Sequence, residues 1–409
     1  MSRLRILILS PSVPFPADNG GKLRAAAVAL ALAARHDVAF GCFTDETEGG
    51  AGTVEVADRF RDLKVVPRQA RRRGWMPRLS PSPSDVHDLH SDEMAAWVKA
   101  TVARFSPDVL LAGDPALTPY LAPYAGRVRV LDYVCVATLA FERMAAGAPR
   151  AQRAVWGLRR LKFAAFLGRI ARVYDLGIVN SEEDRAALVA TSPDWARVEV
   201  LPNGLDLGAY PLGLATPDPA TLVFHGALSY APNLQAVRLL VDEILPRVRA
   251  EVPGVRLLVT GRIPTDGTAP QGSGVVYTGY VPDIRTVVAG AWASPTPLKS
   301  GAGGARFKVL EALALGTPLI STAMGAEGLA VTDGVDILMA EEPAAFAAQT
   351  VRMLRSPELR QRLAEGGRRL VEQRYNWARL GERLAARLED LVARRATARA
   401  TSAVAPVGQ

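Results

Sequence analysis

Residues 4–34, LRILILSPSVPFPADNGGKLRAAAVALALAA, contain the pattern that decides the fold. A short apolar run, Leu4 to Leu9, leads into a loop rich in Pro, Gly and Asn. An alanine-rich run, Leu23 to Ala34, follows and is typical of a helix. A strand, a glycine loop and a helix in this order form the unit of a parallel α/β protein. The stretch therefore predicts a parallel sheet covered by helices.

The same pattern recurs in the second half of the chain. Thr221 to His225 reads as a short strand, Gly226 to Pro232 as a loop and Asn233 to Val241 as the start of a helix. Between the two copies, PLGLATPDPAT (residues 211–221) has the composition of a linker. We therefore expect two α/β halves joined near residues 205–218, with ligands bound outside the carboxyl ends of the strands. Further strands are predicted at Val38–Phe43, Leu63–Val66, Val109–Ala112, Val128–Tyr133, Gly177–Asn180, around Val198, and at Val255–Gly261, Val275–Val281 and Pro318–Thr322.

The composition excludes several classes of protein. With 409 residues, 49% of them apolar and 22% charged, the chain is neither disordered nor collagen-like. Its two cysteines, Cys42 and Cys135, cannot form a disulfide framework, so a reducing, cytoplasmic compartment is expected. There is no run of about 18 uncharged apolar residues, and the apolar start of the chain is too short for a signal peptide.

The net charge of +8 favours an anionic partner. Phosphates and a membrane surface both fit. Nucleic acid fits least well, because only 6% of the residues are aromatic and no zinc-finger, basic-zipper or base-stacking signature accompanies the arginines.

The stretch DVHDLHSDE (residues 85–93) is rich in His and acidic residues, but its spacing is no zinc signature. We expect neither a metal nor another cofactor.

The segment SGAGGARFKVLEALALGTPLIST, residues 300–322, is the most informative candidate site. Small residues, among them Gly303, Gly304 and Ala305, precede a helix predicted from about Ala305 to Leu315. They leave main-chain N–H groups open to an anion at the positive end of that helix. Gly316 suits the left-handed residue that follows a helix. The segment therefore predicts an anion site.

Three charged side chains of this helix extend the prediction. Arg306 and Lys308 lie in the first turn, where each exposed cation opposes the helix dipole by roughly 0.3–1 kcal/mol. A bound diphosphate would supply the missing negative charge. Glu311 lies three residues after Lys308, and its carboxylate could accept hydrogen bonds from a ribose diol. The alternative is a solvated helix with an incidental Lys–Glu pair.

Two further glycine loops are weaker candidates. In FHGALSYAPN (residues 224–233), a close main-chain approach at Gly226 would let a phosphate or sugar sit over the strand end. His225 is there interpreted as a packing residue rather than a base. In the opening loop, Asp18 or Asn19 is expected to cap the helix, and Gly20 and Gly21 permit close approach of a ligand. A plain strand-to-helix loop and a capped helix start are the alternatives.

RAQRAVWGLRRLKFAAFLGRIAR, residues 150–172, contains seven basic residues and no acidic one. Val155, Leu158, Leu161, Ala165 and Phe166 fall near helical spacing. One interpretation is an amphipathic helix that rests on anionic lipid, which would place the protein at the periphery of the inner membrane face. The other is a surface helix packed on its own domain, with arginine stems covering apolar surface. A second basic stretch occupies residues 68–78.

Six segments in order resemble the retaining GT-B glycosyltransferases, in particular the nucleotide-sugar-dependent group that includes bacterial polysaccharide and lipid glycosyltransferases. Within this group the chain looks like the sugar transferases of exopolysaccharide gene systems. The likeness rests on the order and spacing of the segments and runs over nearly the whole chain. They are PFPADNGGKLR (14–24), YDLGIVNSEED (174–184), VLPNGLD (200–206), HGALSYAPN (225–233), GYVPD (279–283) and KVLEALALGTP (308–318).

The resemblance implies a GT-B-like α/β fold, with two Rossmann-like domains facing a cleft. Residues 1–205 would form the acceptor-side domain and residues 206–375 the nucleotide-sugar-binding domain. A helix at residues 376–395 would return to the first domain, and residues 396–409 would form a flexible tail.

The resemblance also implies roles for individual residues. Glu311 corresponds to the second Glu of the family's E-x7-E motif, which holds the ribose hydroxyls. The loop Gly279–Asp283, with Tyr280 and Val281, would meet the base largely through its main chain. Gly20 and Gly21 would approach the phosphates and the donor sugar. The other donor-binding candidates are Gly226, Asn233, Arg262, Gly303, Gly304 and Ala305.

The chain departs from the family pattern at two points. The first Glu of E-x7-E falls on Gly303, so the main-chain amides of residues 303–305 would have to contact the sugar. Many relatives place an Arg and a Lys after the first strand of the second domain, and this chain has neither there. Arg306 and Lys308 are predicted to replace them.

The predicted activity is transfer of a sugar from a nucleotide diphosphate donor to an acceptor hydroxyl, with retention and without a metal. Arg306 and Lys308 are the catalytic candidates at the leaving diphosphate, and Asp114 and Asp132 are the polar candidates at strand ends of the first domain. The acceptor, whether a glycan, a lipid-linked glycan or a small molecule, stays open. The alternatives are a nucleotide-sugar 2-epimerase of the same fold and a non-catalytic nucleotide-sugar or glycan-binding protein.

Overall fold

The computed structural model describes residues 3–17, 19–44, 57–68, 82–134, 136–146, 148–195, 197–264, 266–301 and 306–404. These residues form two compact units. The first unit contains Met1–Pro202 and Ala378–Gln409, and the second contains Asn203–Gly301 and Ala305–Trp377. The described part of the first unit is therefore built from two segments of chain, and the second unit lies between them in sequence.

A parallel sheet is the centre of the first unit. Its described strands are β1 (Arg5–Ser10), β2 (Asp37–Thr44), β3 (Asp62–Pro67), β4 (Val109–Ala112), β5 (Val128–Asp132), β6 (Leu176–Val179) and β7 (Val198–Val200). Their spatial order is β3-β2-β1-β4-β5-β6-β7. In β1 and β4 side chains on both faces are buried, as expected for a parallel sheet covered by helices on both sides.

The first half of the chain forms seven described helices, and side chains cap three of them. They are α1 (Gly20–Ala33), α2 (Ser84–Asp88), α3 (Asp92–Phe105), α4 (Thr118–Leu121), α5 (Ala137–Ala146), α6 (Arg150–Ala171) and α7 (Glu182–Thr191). The Asn19 side chain accepts a hydrogen bond from the main-chain N–H of Lys22, which confirms the predicted cap of α1. Ser91 and Ser181 cap α3 and α7 in the same way.

The second unit repeats the arrangement. Its described strands are β8 (Asp218–His225), β9 (Arg256–Thr260), β10 (Val275–Gly279), β11 (Ala291–Thr296), β12 (Leu319–Ser321) and β13 (Leu338–Met339), all parallel, in the order β10-β9-β8-β11-β12-β13. In each sheet the first strand of the unit pairs with the fourth, so the order of connection reverses between these two strands. Such a reversal is the usual place for a ligand in an open parallel sheet.

The helices of the second unit are α8 (Ala231–Leu239), α9 (Leu245–Glu251), α10 (Ile284–Ala289), α11 (Phe307–Ala314), α12 (Pro343–Arg355) and α13 (Pro357–Arg374). Helix α11 is anchored by its apolar face, because Val309, Leu310 and Leu313 have almost no exposed surface. Gly316 follows it with φ of +72°, in the left-handed conformation predicted for this position. The main-chain N–H of Thr317 bonds the carbonyl of Ala312 and closes the helix end.

The final helix, α14 (Trp377–Val404), supplies Leu380, Leu384 and Leu388 to the buried part of the first unit. Burial of each leucine contributes roughly 1.5–3 kcal/mol. The helix extends to Val404, beyond the end at residue 395 that was predicted from the sequence. Alanine and arginine favour helix there, and the Arg399 guanidinium donates to the carbonyl of Gly126 at 2.6 Å. Residues 405–409 lie outside the described residues.

All the strands predicted from the sequence are present, but three features of the second unit differ from the prediction. Strand β11 and the two-residue strand β13 were not predicted. Strand β8 starts at Asp218, inside the segment interpreted as a linker. The fold class itself, two α/β domains with parallel sheets, is confirmed. Within the described ranges, no helix is both long and apolar enough to span a bilayer.

Candidate functional site

The candidate site of the second unit lies at the carboxyl ends of β8, β9 and β10. These strands are neighbours in the sheet, so the segments that follow them share one edge. His225 and Gly226 end β8, Arg262 follows β9, and Tyr280 follows β10. The structure therefore gathers three of the predicted donor-binding segments at the point where the strand order reverses next to β8.

Two glycines allow the strand ends to approach each other closely. Gly226 and Gly261 have φ of +140° and +133°, which favour glycine over other residues. The N–H of Gly226 bonds the carbonyl of Thr260, and the N–H of Gly261 bonds the carbonyl of Gly279. A Cβ at Gly261 would collide with the carbonyl of Gly226.

The space over Gly226 is occupied by two polar side chains of the protein itself. A Cβ at Gly226 would lie 2.8 Å from Asn233 Nδ2 and 2.9 Å from Lys308 Nζ. The expectation that a ligand sits over this strand end stays a prediction. A ligand there would meet the Asn233 amide and the Lys308 ammonium.

The Lys308 amine has two contacts that favour its positive charge and a buried position that disfavours it. Its Nζ donates to Asn233 Oδ1 at 2.6 Å and lies 4.2 Å from the centre of the Phe224 ring. Burial, reinforced by the nearby Arg306 cation and opposed by Glu311, lowers the pKa of Lys308 to about 7. An anion placed beside this amine would favour the charged form.

Asn233 is oriented for this contact. Its Nδ2 donates to the carbonyl of Ala227 at 2.9 Å, which leaves Oδ1 pointing to Lys308. Asn233 lies in the first turn of α8, whose start is set by the loop after β8. The predicted donor-binding residue is thus in the site, where it holds the lysine.

Arg306 precedes α11, which begins at Phe307 rather than at about Ala305 as predicted. The guanidinium is largely buried, with Nη2 3.4 Å from Glu327 Oε2. A side chain at Gly301 would collide with this guanidinium. Arg306 and Lys308 therefore approach the same helix start, as predicted. Gly303, Gly304 and Ala305 lie outside the described residues.

The Glu311 carboxylate accepts one hydrogen bond and lies near a histidine. Its Oε1 accepts a hydrogen bond of 2.9 Å from the Tyr210 hydroxyl, and its Oε2 lies 3.4 Å from Nε2 of His225. Burial and the neighbouring Glu311 raise the pKa of the Tyr210 hydroxyl above its usual range, so it stays a donor. The Tyr210 hydroxyl thus holds the carboxylate in place. This contact differs from the incidental Lys308–Glu311 pair that was the alternative interpretation of the sequence.

His225 differs from the satisfied packing residue expected from the sequence. It is 5% exposed, and neither ring nitrogen has a hydrogen-bond partner among the described residues. Sequence reasoning missed Tyr210 and Glu327 altogether. Tyr210 immediately precedes the segment interpreted as a linker, and Glu327 follows β12 in a stretch without a recognisable motif.

The loop after β10 presents its side chains to solvent. Tyr280 is 65% exposed and Val281 is half-buried. Asp283 accepts hydrogen bonds from the main chain and guanidinium of Arg285, which lower the pKa of Asp283. Arg262 is exposed, and its carbonyl accepts from the N–H of Leu228. These residues are available to a ligand at the edge of the site.

In the first unit, Asp132 forms an internal ion pair. Nε of Arg24 lies 2.9 Å from Asp132 Oδ2, and Nη2 lies 2.6 Å from Oδ1. The Arg24 side chain is fully buried and also donates to the carbonyl of Leu201. Breaking such a pair by removing one partner typically costs about 3–5 kcal/mol. We therefore do not expect Asp132 to act as a catalytic group.

Asp114 and the glycines of α1 border the reversal point of the first sheet, between β1 and β4. Asp114 follows β4, and its Oδ1 accepts from the N–H of Ala116 at 2.7 Å. Burial raises the pKa of Asp114 to about 6. Gly20 and Gly21 begin α1, and a Cβ at Gly21 would meet only the Asn19 side chain at 3.5 Å.

The second-unit site combines two kinds of recognition. Arg306 and Lys308 supply positive charge, and the fixed carboxylate of Glu311 supplies hydrogen-bond acceptors. Such a site suits a ligand that carries both anionic oxygens and hydroxyl groups. In the part of the chain that the structure describes, no three His, Cys, Asp or Glu side chains are grouped as metal ligands would be.

Residues 219–356, which include most of the second unit, match the family model described as "Glycosyl transferases group 1". A curated relative is the glycogen synthase of Mycobacterium tuberculosis, 28% identical over 198 residues, which are 45% of this chain and 46% of the relative. The chain thus spans less than half of the length of the curated relatives it matches.

Two solved structures share the fold over almost the whole chain. Anabaena Alr3699/HepE, in complex with UDP and glucose, has a TM-score of 0.66 at 17% identity, covering 95% of this chain and 100% of that one. The sucrose-phosphate synthase of Thermosynechococcus elongatus has a TM-score of 0.70 at 19% identity, covering 96% and 100%. These similarities establish the fold that the sequence segments predicted.

Proposed function

We propose that the protein is a glycosyltransferase that moves a sugar from a nucleotide diphosphate donor to an acceptor hydroxyl. The observation that carries this proposal is the group formed by Arg306, Lys308 and Glu311 at the strand-order reversal of the second unit. The family match of residues 219–356 supports it, because that range holds all three residues.

In this proposal the protein binds the donor at its diphosphate and at its ribose. Arg306 and Lys308 bind the phosphate oxygens, and Glu311 accepts hydrogen bonds from the ribose diol. The Tyr210 hydroxyl keeps the Glu311 carboxylate in position for this contact. The loop Gly279–Asp283 and Arg262 lie at the edge where the base would extend, and the amides of residues 303–305 would meet the sugar.

The bond between the anomeric carbon of the donor sugar and the diphosphate oxygen breaks, and the acceptor oxygen forms a new bond to that carbon. This cleavage leaves negative charge on the departing diphosphate. Arg306 and Lys308 stabilise this charge electrostatically, so the step requires no protein nucleophile, and their cations take the place that a metal would fill. A proton from the acceptor hydroxyl passes to the leaving phosphate. Retention at the anomeric carbon is proposed from the resemblance of the sequence segments to the retaining group.

For the acceptor we propose a class of molecule, and for the location a cellular compartment. The acceptor hydroxyl belongs to a glycan, a lipid-linked glycan or a small molecule, in a pathway of bacterial polysaccharide type. Asp114, with its raised pKa, is the remaining polar candidate on the first unit. A cytoplasmic location fits the buried, unpaired thiol of Cys42.

The first test is a panel of nucleotide sugars. A bound donor stabilises the folded state, so the true donor should raise the unfolding temperature in proportion to the logarithm of its concentration. Transfer is then measured with that donor and a pool of acceptors. Formation of an epimerised nucleotide sugar without acceptor would identify an epimerase, and binding without turnover would identify a binding protein.

Variants of the cation pair test the assigned roles. Arg306→Ala and Lys308→Ala should each lower turnover by about 10²–10³-fold, the loss expected for one stabilising group, and should lower turnover far more than stability. Arg362→Ala, which removes an exposed cation of helix α13 that has no role in the proposal, is the matched control and should leave turnover unchanged. Wild-type rates in both Arg306→Ala and Lys308→Ala would refute the diphosphate role.

A further inference from the structure

Helix α6 has a second apolar face that the first unit does not cover. Phe163, Phe166 and Ile170 are buried and anchor the helix in the core. By contrast, Leu158 and Leu161 are 56% and 65% exposed. Of the two interpretations left open by the sequence, packing on its own domain therefore accounts for the C-terminal half of the helix and leaves the N-terminal half unexplained.

The exposed apolar residues form one stripe. Ala151, Ala154, Leu158, Leu161 and Ala165 are all exposed and follow one another at alternating intervals of three and four residues. This spacing places them along a single helix face, over a length of roughly 21 Å at 1.5 Å per residue. Val155 widens the stripe and is 53% exposed.

The neighbouring helix stabilises this arrangement. Phe141 of α5 stacks on Trp156 with ring centres 5.9 Å apart, and it meets Phe163 edge-on at the same distance. Met144, near the end of α5, is 49% exposed and adds a further apolar side chain. The two helices thus form a folded hairpin rather than a frayed segment.

Basic residues flank the stripe on both sides. At 100° per residue, Arg150 and Arg153 lie on one side of it and Arg159 and Lys162 on the other. Arg159 is held over the Trp156 ring at 4.8 Å, and Arg153 donates to the carbonyl of Ala148. Helix α6 carries no acidic residue, and the exposed Glu142 of α5 pairs with Arg160 on its other side.

We propose that the α6 stripe, defined as Ala151, Ala154, Val155, Leu158, Leu161 and Ala165, docks on an anionic lipid bilayer with the helix axis in the plane of the membrane. The leucines enter the boundary between headgroups and acyl chains, and the flanking arginines contact the lipid phosphates. Docking of a second copy through the same face would bring like charges together, whereas an anionic membrane is complementary. The inference does not depend on the proposed catalytic activity.

The test uses the full-length protein and sedimentation with vesicles. Vesicles of phosphatidylcholine with about one third phosphatidylglycerol should bind the wild type, less at high salt, and pure phosphatidylcholine should bind it much more weakly. Leu158→Glu with Leu161→Glu should lower the affinity at least tenfold. The matched control is Val335→Glu, an equally exposed valine of the second unit, which should bind as the wild type does.

Thermal unfolding of each variant is measured alongside, and unchanged unfolding temperatures show that the loss of binding is not a loss of fold. The proposal is overturned if the wild type does not bind the anionic vesicles, or if the double variant binds them equally well. It is also overturned if the wild type sediments as a dimer that the double variant dissociates, because the stripe would then be an interface between copies.

Discussion

At the scale of single residues, Lys308 is the group whose protonation a ligand would change most. In the protein without ligand, its amine faces one amide oxygen and an aromatic ring, and its pKa is about 7. At pH 8 roughly a tenth of the molecules would carry the charge. A diphosphate beside the amine raises the pKa, so binding at pH 8 should take up close to one proton.

Calorimetric titration of the best-binding nucleoside diphosphate in two buffers of different ionisation enthalpy measures this uptake. Lys308→Met should bind about tenfold or more weakly and should take up almost no proton at the same pH. An uptake that persists in Lys308→Met would assign the proton to another group, and no uptake in the wild type would contradict the environment described for Lys308.

Glu311 leads to a separate prediction about the ligand's hydroxyl groups. If its carboxylate accepts from the ribose diol, the wild type should prefer a nucleoside diphosphate over its 2′-deoxy analogue by about tenfold, the typical value of one hydrogen bond to a charged group. Glu311→Ala should bind both ligands weakly and lose the preference. Tyr210→Phe keeps the carboxylate but removes the hydrogen bond that positions it. This variant should retain part of the preference for the ribose form. Equal binding of the two ligands by the wild type would count against the ribose contact.

The residues of the site were predictable to the extent that they lie in one segment. Arg306, Lys308 and Glu311 are close in sequence, and the helix pattern around them was recognisable. Tyr210 is 101 residues away from Glu311, so no local pattern connects them. The ion pair of Asp132 could not be predicted for the same reason, because its partner Arg24 is 108 residues away and nothing in either segment reveals the pair.

At the scale of elements, apolar runs located most of the strands, and β11 shows why they did not locate all of them. Its sequence, AWASPT, consists largely of small and polar residues and includes Pro295, which cannot donate to the sheet. Nevertheless β11 pairs with both β8 and β12. Strand formation by this segment depends on the neighbouring elements, which pack closely against its small side chains. Those neighbours cannot be recognised in a single sequence.

Helix α14 approaches α1 so closely that a glycine is required between them. A Cβ at Gly381 would lie 2.7 Å from the Cβ of Ala31, whereas a Cβ at Gly157 of α6 would meet no atom of the described residues within 4 Å. Alanine is favoured over glycine in a helix by roughly 1 kcal/mol, while overpacking costs about 1–3 kcal/mol. Gly157→Ala should therefore raise the free energy of unfolding by about 0.5–1 kcal/mol, and Gly381→Ala should lower it by about 1 kcal/mol.

Chemical unfolding followed by circular dichroism distinguishes the two glycine variants. Opposite signs are expected, since the substitution is the same and only the space around the new methyl group differs. A gain of stability in both variants would mean that α1 and α14 can move apart without cost.

At the scale of the whole molecule, the two units share one strand order, and each has its own buried core. The described donor-binding candidates other than Gly20 and Gly21 lie in the second unit, whose segments span Asn203–Trp377. A fragment of residues 203–377 should therefore fold cooperatively and bind the preferred nucleoside diphosphate within about tenfold of the intact protein. A folded fragment with no affinity, beside an intact protein that binds, would show that the described second-unit residues do not suffice.

The position of α14 in the chain has a consequence for biosynthesis. Leu380, Leu384 and Leu388 complete the first unit, yet a ribosome reaches them only after it has translated the whole of the second. At about 5–20 residues per second, translation of the second unit takes roughly 10–35 seconds. For that time the surface of the first unit on which α14 packs is exposed. During that interval the growing polypeptide presents an apolar surface of the kind that chaperones bind.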